Sequence, residues 1–163
     1  MKPLLLFHFD HSCDLSQWRI VNDSVMGGIS SSFIICNTDG KGLFNGTVSL
    51  ENNGGFCAVK YTFDSLSLQD AKSFSVRLKG DGNVFQFRVK NKISEAHSYV
   101  FAFETTTDWQ TINVPISELK PAFRGQKLNL PAYDGKQLQE ITFLIGNKKN
   151  ETFELVIESI SII

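Results

Sequence analysis

The stretch that decides the fold runs from Phe74 to Lys90 and reads FSVRLKGDGNVFQFRVK. Apolar and polar residues alternate on both sides of its central Gly80-Asp81-Gly82 turn. Side chains in a β-strand point to opposite faces with a period of two, and glycine adopts the backbone angles that a chain reversal needs. We therefore expect two strands joined as a β-hairpin, with Phe, Val and Leu on the buried face.

The same alternation recurs along most of the chain. Further strands are predicted at Leu4–Phe9, Gln17–Val21, Ser32–Cys36, Gly42–Leu50, Cys57–Phe63, Ser98–Phe103, Trp109–Val114, Glu140–Ile145 and Thr152–Ile162. The last strand changes phase near Glu158, which predicts a β-bulge, and a long loop is expected between Lys120 and Lys136. Many short strands separated by Gly, Asn and Asp turns are typical of an all-β sandwich or barrel.

Length and charge narrow the class of protein. A chain of 163 residues fits one domain, residues 1–163. Its net charge of −1 provides no basic surface for a nucleic acid. The apolar start of the chain is interrupted by His8 and Asp10, too early for a signal peptide, and no segment is long and apolar enough to span a membrane. We expect a soluble domain.

Cysteine usage indicates a reducing compartment. The three cysteines, Cys13, Cys36 and Cys57, are odd in number and have no CxxC spacing. Such cysteines are typical of free thiols in an intracellular protein. The prediction is a cytoplasmic protein without disulfides.

Catalytic and metal-binding motifs are missing from the sequence. It contains no GxSxG, HExxH or phosphate-loop motif. His8, Asp10, His11 and Cys13 lie close together but fit no zinc spacing, so no metal and no cofactor are predicted. Calcium held by Asp10, Asp14 and backbone carbonyls is left open. An enzyme of an unfamiliar type is the least favoured class.

Basic residues mark the polar face of the predicted hairpin. Arg77 would lie across from Arg88 on the neighbouring strand, with Gln86 beside it. Like charges on facing strands repel unless water, a carboxylate or a ligand compensates for them. The face is therefore either an ordinary solvated surface or a surface that binds a ligand.

Two glycine-rich stretches interrupt the strands. They are Val25–Gly28 and Asn52–Phe56, and both are rich in residues that tolerate positive φ. No helix follows either of them and no Lys-Ser/Thr pair is present, so neither resembles a phosphate-binding loop. From the residues alone, two tight turns are expected.

Several longer motifs resemble one known family. They are Trp18–Ser30 (WRIVNDSVMGGIS), Phe44–Phe56 (FNGTVSLENNGGF), Gly80–Gly82, Phe103–Thr105, Trp109–Thr111 with Val114-Pro115, Pro121–Gly125, and the closing segments Phe143–Lys148 and Phe153–Leu155. In this order they resemble the complex I intermediate-associated protein 30 family over essentially the whole chain.

The resemblance implies a fold and a class of function. The implied fold is a galactose-binding-like jelly roll, an all-β sandwich of two antiparallel sheets. Mitochondrial members of the family are assembly factors for respiratory complex I, the NADH:ubiquinone oxidoreductase, and they bind subunits in a chaperone-like way without catalysis. Protein partners, among them respiratory-complex subunits, are therefore expected. A carbohydrate or small anionic ligand on the Arg77, Gln86 and Arg88 face, flanked by Tyr99 and Trp109, is the alternative.

The resemblance also singles out candidate site residues. They are Trp18, Asn22, Asp23, Met26, Asn52, Asn53, Phe56, Phe123 and Arg124, to which the hairpin adds Arg77 and Arg88. Asn and Asp side chains tie turns together, while Arg offers five hydrogen-bond donors to carbonyls or carboxylates. These groups form either a partner-binding rim or an internal support in which Arg124 folds back onto Asp23.

Overall fold

The computed structural model describes residues 3–23, 27–124 and 126–163. Within these ranges the chain forms thirteen strands. They are Leu4–His8 (β1), Trp18–Ile20 (β2), Ser31–Cys36 (β3), Gly42–Val48 (β4), Cys57–Ser67 (β5), Ser73–Lys79 (β6), Val84–Lys90 (β7), Ser98–Glu104 (β8), Gln110–Pro115 (β9), Lys120–Phe123 (β10), Gln126–Lys127 (β11), Gln137–Ile145 (β12) and Glu151–Ile162 (β13). Short 3₁₀ turns at Glu51–Asn53 and Ile116–Glu118 lie between the strands.

The strands form two antiparallel sheets. One has the order β3-β4-β13-β6-β9, with β1 pairing with the last part of β13, and the other has the order β11-β10-β8-β7-β12-β5-β2. We refer to them as the six-stranded and the seven-stranded sheet. The expected all-β jelly-roll sandwich is confirmed.

Phenylalanines from both sheets fill the space between them. Phe44 and Phe153 of the six-stranded sheet lie 4.9 Å apart between ring centroids, and Phe153 approaches Phe85 of the seven-stranded sheet at 6.1 Å. The alternation of apolar residues in each strand directs one face of each sheet into this core. The opposite faces of the two sheets are therefore left for polar side chains.

The predicted hairpin between β6 and β7 is wrong. β6 belongs to the six-stranded sheet and β7 to the seven-stranded sheet, so the turn between them crosses from one layer to the other. Phe74 of β6 faces Phe87 of β7 across the core at 5.2 Å. Alternating apolar and polar residues indicate that each strand has one buried face. The same alternation results whether two strands pair side by side in one sheet or stack face to face in two sheets. The sequence pattern therefore did not distinguish the two arrangements.

Two smaller predictions had different outcomes. The register of β13 against β6 shifts between Ile157 and Ser159, which confirms the bulge near Glu158. The region Lys120–Lys136, expected to be a loop, instead contains β10 and β11. β10 adds a short strand to β8 and thereby extends the seven-stranded sheet.

The prediction that all three thiols are free is also wrong. Cys13 and Cys36 form a disulfide, with their Cα atoms 6.2 Å apart, and Cys57 is free and buried. Cys13 follows β1 and Cys36 ends β3, so a pair that is separated in sequence meets at one sheet edge. None of the helical segments in the described ranges is long and apolar enough to cross a bilayer.

Candidate functional site

The carboxylate of Asp23 joins two loops. Asp23 is 1% exposed, and its Oδ1 accepts a hydrogen bond from the Ser30 amide at 3.1 Å. Its Oδ2 accepts hydrogen bonds from the amides of Gly55 at 2.6 Å and Phe56 at 3.2 Å, and from the Ser30 hydroxyl. Burial alone would raise the pKa of Asp23, but these four hydrogen bonds together hold it below its usual value. The carboxylate is thus an internal support that orders the backbone from Gly55 to Phe56.

The neighbouring side chain, Asn22, connects the same region to the seven-stranded sheet. Its Oδ1 accepts hydrogen bonds from the Ser32 hydroxyl at 2.7 Å and from the Ala58 amide at 3.4 Å, and its Nδ2 donates to the Ser30 carbonyl at 3.4 Å. A buried carboxylate that accepts four hydrogen bonds and an amide oxygen that accepts two have little capacity left to accept hydrogen bonds from a partner. Of the two alternatives for Asn22 and Asp23, the structure shows the internal support.

A glycine makes this close approach feasible. A Cβ atom added to Gly54 would lie 2.7 Å from Oδ2 of Asp23 and 2.5 Å from the carbonyl oxygen of Ser49. Both distances are shorter than any normal carbon–oxygen contact. The glycine-rich stretch is therefore a tight turn, as expected, and its tightness lets the backbone pack directly on Asp23.

This ordered turn forms one wall of a cleft on the outer face of the seven-stranded sheet. The cleft has a volume of about 520 Å³, within the range typical of ligand sites. We call it the Arg88 cleft. Its lining residues are Val21, Leu50, Gly54, Gly55, Phe56, Ala58, Lys60, Gln86, Arg88, Ser98, Arg124, Thr142, Leu144, Gly146 and Lys148.

Arg88 lies among the strands that form the floor of the cleft. β7 pairs with β12 and β8 so that Arg88 is opposite Thr142 on one side and Val100 on the other. Its Nε and Nη2 donate to Oε1 of Gln86 at 2.9 and 2.7 Å. Burial lowers the pKa of the Arg88 guanidinium. In the described part of the chain, no carboxylate lies within ion-pair distance of it.

Arg124 lies at the rim of the same cleft and not against Asp23. It is exposed in the turn between β10 and β11, and its guanidinium lies 5.2 Å from the ring centroid of half-buried Phe123. Among the described residues, no hydrogen bond or ion pair joins Arg124 to Asp23. The alternative in which Arg124 folds back onto Asp23 is therefore wrong. Arg124 follows β10, near one edge of the seven-stranded sheet, whereas Asp23 follows β2 at the opposite edge.

One buried carboxylate, Glu140, lies beside the cleft. Glu140 is 3% exposed, and its carboxylate oxygens are 3.7 Å from Nη2 of Arg19 and 3.5 Å from Nζ of Lys60. Lys60 thus has an anionic partner and Arg88 has none among the described residues. Arg124 and Lys148 are exposed, so Arg88 is the half-buried cation of the cleft that lacks a carboxylate partner among the described residues.

The second predicted arginine lies on the other side of the molecule. Arg77 faces outward from the six-stranded sheet, with its Nε 3.9 Å from Oε2 of Glu158 and its guanidinium 5.7 Å from the ring centroid of Trp109. Glu158 also contacts Lys41 at 3.0 Å. These residues line a smaller pocket of about 250 Å³. Arg77 and Arg88 do not form one site, which corrects the shared polar face expected from the sequence.

Other candidates lie outside the cleft. Trp18 is 6% exposed and stacks on Tyr61 with 4.8 Å between ring centroids, so it is a core residue. Asn52 is exposed and has a φ of 55° in the turn that also contains Asn53. Met26 lies outside the described residues. Of the described candidates taken from the family resemblance, Phe56 and Arg124 line the cleft.

Several cleft residues were not predicted from the sequence. Lys60, Thr142 and Leu144 lie on strands that the alternation identified, and their outward direction follows from it. Their proximity to Arg88 arises because β12 inserts between β5 and β7. That order depends on long-range pairing, for which the local pattern carries no signal.

The calcium alternative gains no support from the described residues. Oδ1 of Asp10 accepts hydrogen bonds from the amide of Ser12 at 2.9 Å and from its hydroxyl, and Oδ1 of Asp14 accepts one from the Ser16 amide at 2.9 Å. Both carboxylates thus close local turns. Within the described ranges, no group of three or more His, Cys, Asp or Glu side chains is arranged to hold a metal ion.

Comparisons with known proteins agree with this fold. The complex I intermediate-associated protein 30 family matches residues 7–157. An uncharacterized protein of Schizosaccharomyces pombe is 27% identical over 180 residues, which cover 96% of this chain and 82% of that protein.

Solved structures with the same fold include carbohydrate-binding modules. The family 11 module of a cellulosomal cellulase of Clostridium thermocellum has a TM-score of 0.72 at 18% identity, covering 99% of this chain and 94% of its own. The same module in complex with a β-1,3-1,4-mixed-linked tetrasaccharide has a TM-score of 0.71 at 18% identity, covering 99% and 95%. A family 29 module has a TM-score of 0.60 at 10% identity, covering 99% and 88%. At these identities the likeness shows a shared fold.

Proposed function

We propose that this chain, which belongs to the complex I intermediate-associated protein 30 family, is a non-catalytic binding protein that holds a protein partner in the Arg88 cleft. The family suggests a role related to the assembly of respiratory complex I. We propose that the partner is a subunit or an assembly intermediate of that complex, held in a chaperone-like way.

The observation that carries this proposal is the position of Arg88. It is a half-buried cation, with a pKa lowered by burial, among the strands of a cleft of about 520 Å³, and it has no carboxylate partner among the described residues. A charge held in this way is costly for a protein unless it pairs with something. Functional sites are often where such costs are found, because a ligand supplies the missing group.

The residue composition of the cleft supports a polypeptide as the partner. The cleft combines apolar wall residues, Val21, Leu50, Phe56 and Leu144, with polar groups on the floor. A buried apolar patch together with a few well-placed polar groups is the usual composition of a protein-binding site. Leu50 is 42% exposed, an apolar surface that a partner would cover.

The experiment is capture of partners from a native lysate of the source organism with the immobilised protein. The matched pair is Arg88→Met in the cleft and Arg77→Met on the opposite face. Quantitative mass spectrometry is expected to find complex I subunits or assembly factors on the wild type and on Arg77→Met, and at least about 10-fold less of them on Arg88→Met. Enrichment that is equal on the two variants, or that contains no complex I protein, would contradict the proposal.

A carbohydrate is the second candidate, favoured by the hydrogen-bonding groups of Gln86, Arg88, Ser98 and Thr142 on one polar floor. The described lining residues include no Trp or Tyr that would form a stacking platform for a sugar ring. Titration calorimetry with the mixed-linked tetrasaccharide distinguishes the two. If the tetrasaccharide binds saturably and Arg88→Met abolishes that binding, the ligand of the cleft is a sugar and not a protein.

A further inference from the structure

The lining of the Arg88 cleft is strongly asymmetric in charge. Among the described residues that line it, Lys60, Arg88, Arg124 and Lys148 are cationic and none is a carboxylate. The whole chain, by contrast, has a net charge of −1. Positive charge is therefore concentrated on this face, and a cleft lined by one sign of charge attracts ligands of the opposite sign.

The guanidinium of Arg88 has hydrogen-bond donors that no described residue accepts from. Gln86 accepts hydrogen bonds from Nε and Nη2, and Nη1 donates none within the described part of the chain. Gln86 is neutral, so it satisfies donors without compensating the charge. A carboxylate matches the planar guanidinium and supplies both an acceptor and a negative charge.

The apolar wall limits the kind of anion that fits. Leu50, Phe56 and Leu144 present hydrocarbon surface beside the cations. A bare inorganic anion would leave this surface in water, whereas aliphatic side chains next to the carboxylate would cover it. The ligand therefore carries both an anionic group and aliphatic groups.

The extent of the cleft limits the length of its occupant. Lining residues come from β8, β7, β12 and β5 and from Val21 directly after β2, which are successive neighbours in the sheet. At about 4.8 Å between strands, the cleft spans about 19 Å, which is the length of roughly six residues of extended chain. An extended peptide segment fits this dimension.

We infer that the occupant of the Arg88 cleft is an extended acidic segment of the partner protein, in which a Glu or Asp side chain pairs with Arg88 and flanking aliphatic side chains cover Leu50, Phe56 and Leu144. This inference rests on the proposed function and adds the chemistry of the partner to it. The cations at the rim, Arg124 and Lys148, steer the segment and contribute less to affinity because both are exposed.

The test uses two fluorescein-labelled peptides of roughly eight residues, Leu-Ser-Glu-Ser-Leu-Ser-Glu-Ser and the same peptide with Gln in place of Glu, so that Leu and Glu share one face of the extended segment. Fluorescence anisotropy with the full chain is expected to show at least about 10-fold tighter binding of the Glu peptide. Arg88→Met is expected to reduce the affinity for the Glu peptide to that for the Gln peptide. Arg88→Lys retains the charge and should recover part of the difference, while Arg77→Met should leave both affinities unchanged.

Equal affinity for the two peptides, no binding of either at about 1 mM, or an equal loss in Arg77→Met would overturn the inference. Tighter, Arg88-dependent binding of an oligogalacturonate in the same assay would also overturn it, because the anion would then be a sugar acid. If the capture experiment yields a partner that depends on Arg88 while both peptides fail, the acidic segment is wrong and the proposed function stands. If the Glu peptide binds but no complex I protein is captured, the acidic segment stands and the proposed complex I partner is wrong.

Discussion

Arg77 and Arg88 lie on opposite outer faces of the sandwich, because β6 and β7 stack across the core through Phe74 and Phe87. Their surroundings differ in one respect that matters for function. Arg77 has Glu158 within 3.9 Å, while Arg88 has no carboxylate within ion-pair distance in the described part of the chain. Arg77 is compensated within the molecule, and we propose that Arg88 is compensated by a ligand.

Arg88→Met is expected to leave the free energy of unfolding within about 1 kcal/mol of the wild type, or to raise it. The substitution removes a half-buried cation and retains a hydrocarbon stem in the cleft. Urea denaturation of the free protein measures the effect. A loss of more than about 3 kcal/mol would mean that Arg88 is a structural residue, and its role in binding would have to be given up.

Asp23→Asn is expected to lower the free energy of unfolding by about 2–4 kcal/mol at pH 7. An amide nitrogen would replace one of two oxygens that together accept four hydrogen bonds. Asp70→Asn, at an exposed position, is the matched control and should change little.

The stability difference between the wild type and Asp23→Asn should depend on pH. The pKa of Asp23 is lowered in the folded protein, so its contribution to stability is present above its unfolded pKa of about 3.9 and is lost as the pH falls through the lower folded value. The difference in unfolding free energy between wild type and Asp23→Asn should therefore be constant above about pH 5 and shrink below pH 4. A difference that grows on acidification would contradict the role assigned to this carboxylate.

Trp18→Ala and Trp109→Ala should behave differently. Trp18 is buried against Tyr61, and its truncation is expected to cost about 3–5 kcal/mol. Trp109 is half-buried on the outer face of the six-stranded sheet, and its truncation should cost about 1 kcal/mol. Thermal or urea unfolding measures both. Similar small costs would show that Trp18 is not the core residue described here.

The disulfide predicts a labelling pattern. Under denaturing, non-reducing conditions iodoacetamide should modify Cys57 alone, and after reduction it should modify all three cysteines. In the native protein even Cys57 should react slowly, because burial raises the pKa of its thiol to about 11.

Loss of that bond has a predicted cost. Cys13→Ser is expected to lower the free energy of unfolding by about 3 kcal/mol under oxidising conditions. Modification of three thiols before reduction would contradict the pairing. A persistent disulfide is uncommon in the cytosol, so the labelling result also bears on the cytoplasmic location, which remains a prediction.

The sequence predicted the strands better than it predicted the site. Alternation identifies one buried face for each strand, and the positions of Phe74 and Phe87 in the core follow from it. It does not encode which strand is the neighbour, so the predicted hairpin is wrong and the insertion of β12 between β5 and β7 does not follow from the pattern. The Arg88 cleft depends on that insertion.

The family motifs identified residues of two physical kinds. Asn22 and Asp23 support the loop that forms the wall of the cleft, while Phe56 and Arg124 line it. Both kinds occur in the same motifs, because a cleft walled by loops needs residues that hold the loops in place as well as residues that line it. Distinguishing them required burial and hydrogen bonding, which only the folded structure supplies.

The most direct test of the central claim is site-specific photo-crosslinking. A photoreactive p-benzoylphenylalanine is placed at Ser98 in the Arg88 cleft and, as a matched control, at exposed Thr111 on the opposite face, and each variant is irradiated in native lysate. The account predicts that Ser98 gives a discrete crosslinked partner protein, which Arg88→Met removes, and that Thr111 gives none. A partner crosslinked from Thr111 and not from Ser98 would contradict it.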